Sequence, residues 1–257
     1  MVTSMRKMVT PMMALIDLDP IVYQYASLQF PDGRPFTTRL VEEYTLQKIL
    51  KIVERAGADD WSKFLTYGPD NFRIDVATIK PYKGNRKDRE KPYHYDYIRG
   101  WLSDFSNVRM VFGMEADDAL SLQQYRDFEQ VTRTQGTEYN TIICTIDKDL
   151  DMVPGWHYRW EKSGVQEIAP WFQTEIGGLR CYYKQLLTGD SVDNIHGLYG
   201  VGPKSAYLSR LDEMDTEEDM VQLVTSLYEK WYGNYSKQFL EENKKLLWML
   251  RGDEDYI

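Results

Sequence analysis

Of the 40 acidic residues in this chain of 257, ten fall in four short groups beside apolar runs or turns. Asp17 and Asp19 follow the apolar run "MMALI"; Glu115, Asp117 and Asp118 sit in "MEADDAL". Asp147, Asp149 and Asp151 follow "TIICTI", and Asp190 and Asp193 sit in "TGDSVDN". Each group alone has an ordinary explanation. One acid in a first helical turn is favoured by the macrodipole, and a "GD" pair commonly ends in a solvated loop. Three acids in four residues fit that explanation less well, because Glu115 and Asp118 share a helix face where like charges repel. Acids near a helix C-terminus, as at Asp190 and Asp193, are disfavoured by the dipole. A divalent cation would relieve both penalties.

A second chemistry-bearing stretch is basic. "KPYKGNRKDREK" (80–91) carries Lys80, Lys83, Arg86, Lys87, Arg89 and Lys91 against Asp88 and Glu90. Six positive charges against two negative ones leave a local excess of four. Tyr82 precedes Lys83, and Gly84–Asn85 suit a tight turn. A ring beside cations offers stacking for a base and charge for phosphates, although a solvated loop is the commoner fate of a charge run. The third stretch is "GLYGVGPKSA", with Gly197, Gly200 and Gly202 ahead of Pro203 and Lys204. Gly-rich turns let backbone N–H groups approach phosphates at a helix start. Pro203 suits a first helical position, which places Lys204 just inside a helix. The pattern is neither a P-loop nor a dinucleotide fingerprint, and a plain inter-helix turn is its alternative reading.

These groups need elements to hold them. Strand-length apolar runs occur at 12–16, 63–67, 108–112 and 141–146, separated by helix-compatible stretches at 38–58, 94–105 and 115–131. That alternation predicts an α/β fold with a mainly parallel sheet flanked by helices. A hairpin is expected at "GWHYRWEKSGVQEI", then mostly helix, with a soft boundary near 170–185. In such sheets ligands lie beyond the carboxyl ends of the strands, where three of the acidic groups fall. Carboxylates crowded at one sheet edge repel and rise in pKa unless cations screen them. An all-oxygen donor set points to Mg²⁺ or Mn²⁺. Two such ions suit in-line attack of water on a phosphodiester. Zinc is disfavoured, since His94, His157 and His196 lack ligand spacing and Cys144 and Cys181 are far apart.

Composition sets the bounds. The chain is 42% hydrophobic, enough for a sizeable core, and includes 19 Tyr and 7 Trp. A formal charge of −9 argues against nucleic acid if taken alone. Split by location, it reads as an acidic pocket plus a basic contact surface. Two cysteines make no disulfide framework and fit a reducing, cytoplasmic setting, with Cys144 in the core. There is no run of 18 apolar residues, so no membrane span is predicted. The methionine-rich start "MVTSMRKMVTPMM" lacks the apolar core of a signal peptide and reads as a short tail.

Taken in order, "LIDLD", "YKGNRK", "MEADDAL", "TIDKDLD" and "TGDSVDNIHGLYGVGPKSA" resemble the motifs of the 5′-nuclease superfamily of flap endonucleases and 5′→3′ exonucleases. Its short bacteriophage members are the nearest match in pattern, down to the tail "KKLLWMLRGDEDYI". The resemblance implies a PIN-like nuclease core over 1–180, with a basic clamp or short arch at 80–105. A helical DNA-binding part with a helix-two-turns-helix motif would cover 181–257. It implies a first metal group of Asp17, Glu115, Asp117 and Asp147. A second would contain Asp149, Asp190 and Asp193, with Asp118 near both. Lys83 would contact the scissile phosphate, assisted by Arg86, with Lys80 and Lys87 beside them. Tyr82 would stack on a displaced nucleotide. Gly197, Gly200, Gly202 and Lys204 would grip duplex backbone, around a K⁺ ion. The implied protein is a monomer acting on DNA, including RNA–DNA hybrids, in phage replication or recombination within the host cytoplasm.

Two departures from the family pattern stand out. Gly68 occupies the position where many relatives have an acid at the end of the second strand, leaving Asp70 or Asp75 as substitutes. Lys83 and Glu115 are only 32 positions apart, which implies a shortened arch and an open clamp. Duplex ends, nicks or gaps would then be preferred over long flaps. Three other readings compete. One is a DNA-binding protein with weakened chemistry. Another is a PIN-type ribonuclease. The third is a haloacid-dehalogenase-like phosphatase, suggested by "LIDLD" and the later "GDSVDN".

Overall fold

The computed structural model describes residues 12–86, 90–164 and 166–256. The expectations for Lys87, for Arg89 and for a tail at Met1, Met5 and Met8 fall outside those residues.

Strand β1 (Met13–Asp17) lies at the centre, with Ala14, Leu15 and Ile16 inaccessible to solvent. Helices α1 (Asp19–Ala26) and α2 (Thr38–Ala56) follow. The Thr37 hydroxyl accepts from Leu40 N at the start of α2, and Gly57, at φ +68°, ends it in the left-handed region that glycine tolerates best. Strand β2 (Asp60–Asn71) leads through a short α3 (Phe72–Val76) into the basic segment. Next come α4 (Tyr95–Ser103), β3 (Val108–Gly113), α5 (Ala116–Arg133) and β4 (Thr141–Cys144). The expected hairpin is β5 (Gly155–Arg159) with β6 (Ile168–Gln173), which pair antiparallel. Helix α6 (Glu175–Thr188), the short strands β7 (Gly189–Asp190) and β8 (Ile195–His196), then α7 (Ala206–Asp212), α8 (Glu217–Tyr232) and α9 (Ser236–Leu247) complete the order.

The six-stranded sheet runs β3-β2-β1-β4-β5-β6, parallel throughout except for β6. Alternation along the strands builds two cores. Leu15, Phe64 and Ile143 face α5, α6 and the C-terminal helices, while Ala14, Ile16, Leu65, Ile142 and Cys144 face α1, α2 and α4. Both faces are covered, which explains why the strands read as continuous apolar runs. The chain leaves β1 for β2 on one side and returns to β4 on the other. The crevice between the carboxyl ends of β1 and β4 is therefore the topological switch point, where open α/β sheets bind ligands. Strand β2 is longer than its apolar run because it continues past the sheet's edge, with Gly68 at φ +87° and Asn71 paired to Gly113.

Candidate active site

Asp17 is the last residue of β1 and Asp147 lies just past β4, so the two flank the switch point. Asp17 is 2% exposed; its Oδ2 accepts from Thr145 Oγ1 at 2.9 Å and its Oδ1 from Asp19 N at 3.1 Å. Burial, then the charge of Asp19, drives its pKa well above the carboxylate range, against the pull of the Thr145 hydrogen bond. Asp117, in the first turn of α5, is raised well above that range by burial and by Asp17, Asp147 and Glu115. Its carboxylate makes no hydrogen bond or ion pair with any described residue.

On the other side of Asp147, Asp149 N donates to Asp147 Oδ1 at 2.9 Å, and Gln185 Nε2 of α6 donates to Asp149 Oδ1 at 2.7 Å. Burial and the charges of Asp147 and Asp190 push Asp149 up to about 8. Asp190 is buried; its Oδ1 accepts from Val192 N at 2.7 Å and Asp193 N at 3.1 Å, which folds the turn that presents Asp193. Lys148 Nζ lies 3.5 Å from Asp190 Oδ2.

The basic segment reaches this edge. Tyr82 OH donates to Glu115 Oε2 at 2.9 Å and Asp193 Oδ2 at 2.8 Å. Lys83 Nζ donates to Glu115 Oε1 and lies 3.7 Å from Asp193 Oδ2. Arg86 Nη2 donates to Asp193 Oδ1 at 2.5 Å and its Nε to Val192 O at 3.1 Å. Lys83 holds a left-handed backbone, φ +52°, with its N–H on Asp193 O at 2.9 Å. Strain at a non-glycine residue persists where surrounding contacts over-determine it, as here. Burial alone would raise Glu115, but Lys83 and Arg73 more than offset it and hold its pKa below the ordinary value. Asp193 differs: burial outweighs Lys83 and leaves it raised.

The donor set fits hard divalent cations. Asp17, Asp117, Asp147, Asp149 and Asp190 crowd one crevice, with Lys148 against Asp190 and the charge of Lys83 acting on Asp117, and such carboxylates favour a bound ion over each other. Among the described residues, no three carboxylate, imidazole or thiol groups already stand at ligating separation, so an ion would draw the side chains inward. His157 gives its Nε2 to Val153 O, and burial lowers its pKa to about 4; it has no part in the site.

No family model and no curated protein sequence matches this chain. Solved structures do. The bacteriophage T5 D15 flap endonuclease, solved as a pseudo-enzyme–product complex with DNA and metal ions, is similar at 14% identity and TM-score 0.52. The match covers 91% of this chain and 98% of that one. This chain has the 5′-nuclease fold. Flap endonuclease-1 from Methanococcus jannaschii is similar at 11% identity and TM-score 0.50, covering 95% of this chain and 81% of that one. The catalytic core of Rad2 in complex with DNA substrate is similar at 14% identity and TM-score 0.51, covering 96% and 77%.

Within the 5′-nuclease fold, some expected residues come together and others do not. Asp17, Glu115, Asp117, Asp147, Asp149, Asp190 and Asp193 meet at the sheet edge. Asp118 does not join them. It is inaccessible to solvent, and its two oxygens take Arg73 Nη1 at 2.5 Å and Nη2 at 2.8 Å. One helical residue past Asp117, it points about 100° away into the core. Tyr82 is not a free ring for stacking, because it is packed on the core and bridges two acids. Lys80 turns to the His196 ring. Asp151 pairs with Arg159 at 2.5 Å.

The glycine turn divides in two. Gly197 is a packing residue: a Cβ there would lie 2.2 Å from Thr188 C and 2.3 Å from Gly189 N. Gly200, at φ +78°, and Gly202 have open space around them, and Tyr199 beside them is 92% exposed. Lys204 is exposed in the turn before α7 rather than inside it, since Ser205 caps the helix through Tyr207 N. The turn is braced from behind: Trp231 Nε1 donates to Tyr199 O at 3.0 Å and Tyr232 OH to Gly197 O at 2.8 Å.

The structure gives places to residues that were assigned no role in the site. Asp19 accepts from Thr66 Oγ1 at 2.5 Å and from Thr66 N at 3.3 Å, with Arg99 Nη1 at 3.4 Å; burial raises its pKa against the Thr66 bonds and Arg99. Its spacing from Asp17 in "LIDLD" was the available signal. Thr66 also accepts from Ala116 N at 2.8 Å. A neutral threonine thus stands on β2 beside the acids, and Asp70 and Asp75 are both exposed. Arg73 had no signal: "NFRIDV" reads as an ordinary exposed helix.

Proposed function

We propose that this protein is a metal-dependent 5′→3′ exonuclease and structure-specific 5′ nuclease acting on DNA phosphodiesters. The observation that carries the reading is the meeting of seven acids with Lys83 and Arg86 at the switch point of a 5′-nuclease fold. Two Mg²⁺ or Mn²⁺ ions would be held by Asp17, Glu115, Asp117 and Asp147 and by Asp149, Asp190 and Asp193. Bound there, they supply Lewis-acid stabilisation of phosphoryl oxygen and lower the pKa of water.

The chain's own residues do the rest. Lys83 and Arg86 place two cations beside the acids, where charge develops on a transferring phosphoryl group. Tyr82 holds Glu115 and Asp193 at a fixed separation. The exposed loop Tyr199–Lys204 offers open glycine backbone and a lysine to duplex phosphates, with the α7–α9 helices as its support; a K⁺ ion held by that turn would add positive charge toward the phosphates. Division of the chain near residue 180 and monomeric action in a phage replication or recombination setting, on DNA or RNA–DNA hybrids, belong to the same reading. The relatives solved with DNA substrate or product support it.

The deciding experiment uses duplex labelled at the 5′ or the 3′ end, with Mg²⁺ or with EDTA. Metal-dependent release from 5′ ends is expected, and absence of cleavage on every DNA and RNA structure tested would overturn the proposal. A long 5′ flap blocked at its free end should be cut as well as an unblocked one, because only nine residues, Tyr95–Ser103, form the α4 helix between Lys83 and Glu115.

A further inference from the structure

Tyr67 and Phe112 form an exposed ring pair on neighbouring strands β2 and β3. Their centroids are 4.8 Å apart at 53°, and they are 50% and 63% exposed. Both alternate onto the α4 side of the sheet, beyond the residues that α4 covers. Other rings are open to water, among them Tyr93, Tyr199 and Tyr235, but these two touch and make one contiguous apolar patch, the kind of surface that marks a contact site.

Its position is informative. Phe112 is three residues before Glu115, at most about 11 Å along the chain. Tyr67 follows Thr66, the residue bonded to both Asp19 and Ala116. Arg99 lies beside the pair: its Nη2 donates to Thr66 O, its Nη1 is 3.4 Å from Asp19 Oδ1, and its guanidinium lies 5.3 Å from the Tyr95 ring centre. Lys91 Nζ lies 4.7 Å from the same ring centre and 3.7 Å from Asp96 Oδ1, and the Tyr23 ring centre is 4.9 Å from that of Tyr95. Rings facing water beside Arg and Lys are the composition that recognises a single nucleic-acid strand, with π-faces for bases and cations for phosphates.

We propose that Tyr67 and Phe112 are a stacking platform for an unpaired base of the strand being cut, one or two nucleotides from the scissile phosphate. The inference rests on the nuclease reading and adds to it which side chains of this chain engage an unpaired base.

Binding is read by fluorescence anisotropy in EDTA, so that no cut is made, with a blunt duplex, a duplex bearing a 5′ overhang, and the same overhang with abasic sugars. The protein should prefer the intact overhang. Tyr67→Ala/Phe112→Ala should weaken overhang binding by roughly 5- to 150-fold, the range for loss of one stacked base. Blunt-duplex affinity should hardly change, and Tyr67→Phe should retain binding. Abasic sugars should weaken the unaltered protein as much and the double variant no further. Unchanged overhang affinity in the double variant, with cleavage intact, overturns the platform and leaves the nuclease reading standing. No binding or cleavage of any DNA overturns both. Both side chains are exposed, and an unchanged melting temperature separates the effect from misfolding.

Discussion

Arg73 is the residue whose loss the structure prices most clearly. Its guanidinium is inaccessible to solvent, and it donates to both oxygens of Asp118, to Leu246 O at 2.9 Å and to Trp248 O at 2.8 Å. Burial would lower its pKa, but the Asp118 charge more than restores it, so the guanidinium stays charged. The carboxylate also accepts from Glu115 N at 3.2 Å, joining the start of α5, the α3 segment and the C-terminal strap in one buried cluster. Arg73→Met leaves a buried carboxylate without its countercharge, which costs about 3–5 kcal/mol. For 257 residues the unfolding entropy is roughly 0.5 kcal/mol/K, so the melting temperature should fall by about 6–10 °C. Thermal and urea unfolding of the metal-free protein, followed by circular dichroism, measure this. Arg73→Met/Asp118→Leu should recover most of the loss, because the stranded charge is removed as well. A single-variant loss under about 1 kcal/mol, or a double variant as weak as the summed singles, would refute the reasoning.

Three further outcomes follow from the same coordinates. In the metal-free protein, Asp17, Asp117 and Asp149 have folded pKa values above their unfolded ones, so the folded state holds more protons between the ordinary carboxylate range and about 8. Stability should therefore fall as pH rises through that window, and Mn²⁺ should restore it with release of protons; a metal-free melting temperature that rises with pH would contradict this. Lys83→Ala should lower turnover by roughly 10²–10³-fold with a much smaller effect on DNA affinity, measured by single-turnover kinetics and anisotropy, and an unchanged rate would remove Lys83 from the chemistry. Gly197→Ala should destabilise by more than about 2 kcal/mol in urea unfolding because its Cβ would overlap backbone, whereas Gly200→Ala should cost about 1 kcal/mol from its positive φ alone.

Much of this was legible in the order of residues. Apolar runs of strand length, three of the four followed within a few residues by acids, determine a parallel sheet with a charged carboxyl edge, because burial on both faces demands continuous apolar strands and the crossover connections bring every strand end to one side. The basic segment was legible for the same kind of reason: six cations in twelve residues need no partner to be recognised.

Tertiary structure decided what each side chain faces. Asp117 and Asp118 are adjacent and chemically alike, yet one opens on the crevice and the other is sealed against Arg73, since one helical residue turns a side chain by about 100° and the partner comes from 45 positions away. Tyr82 looked like a stacking ring and is instead a hydrogen-bonded strut, while Tyr67 and Phe112, in no motif, form a ring pair open to water. Gly197 and Gly200 share one short turn, but backbone crosses only the first. Composition and spacing fix which chemistry can gather at the sheet edge; long-range packing alone assigns each group to metal, substrate or core.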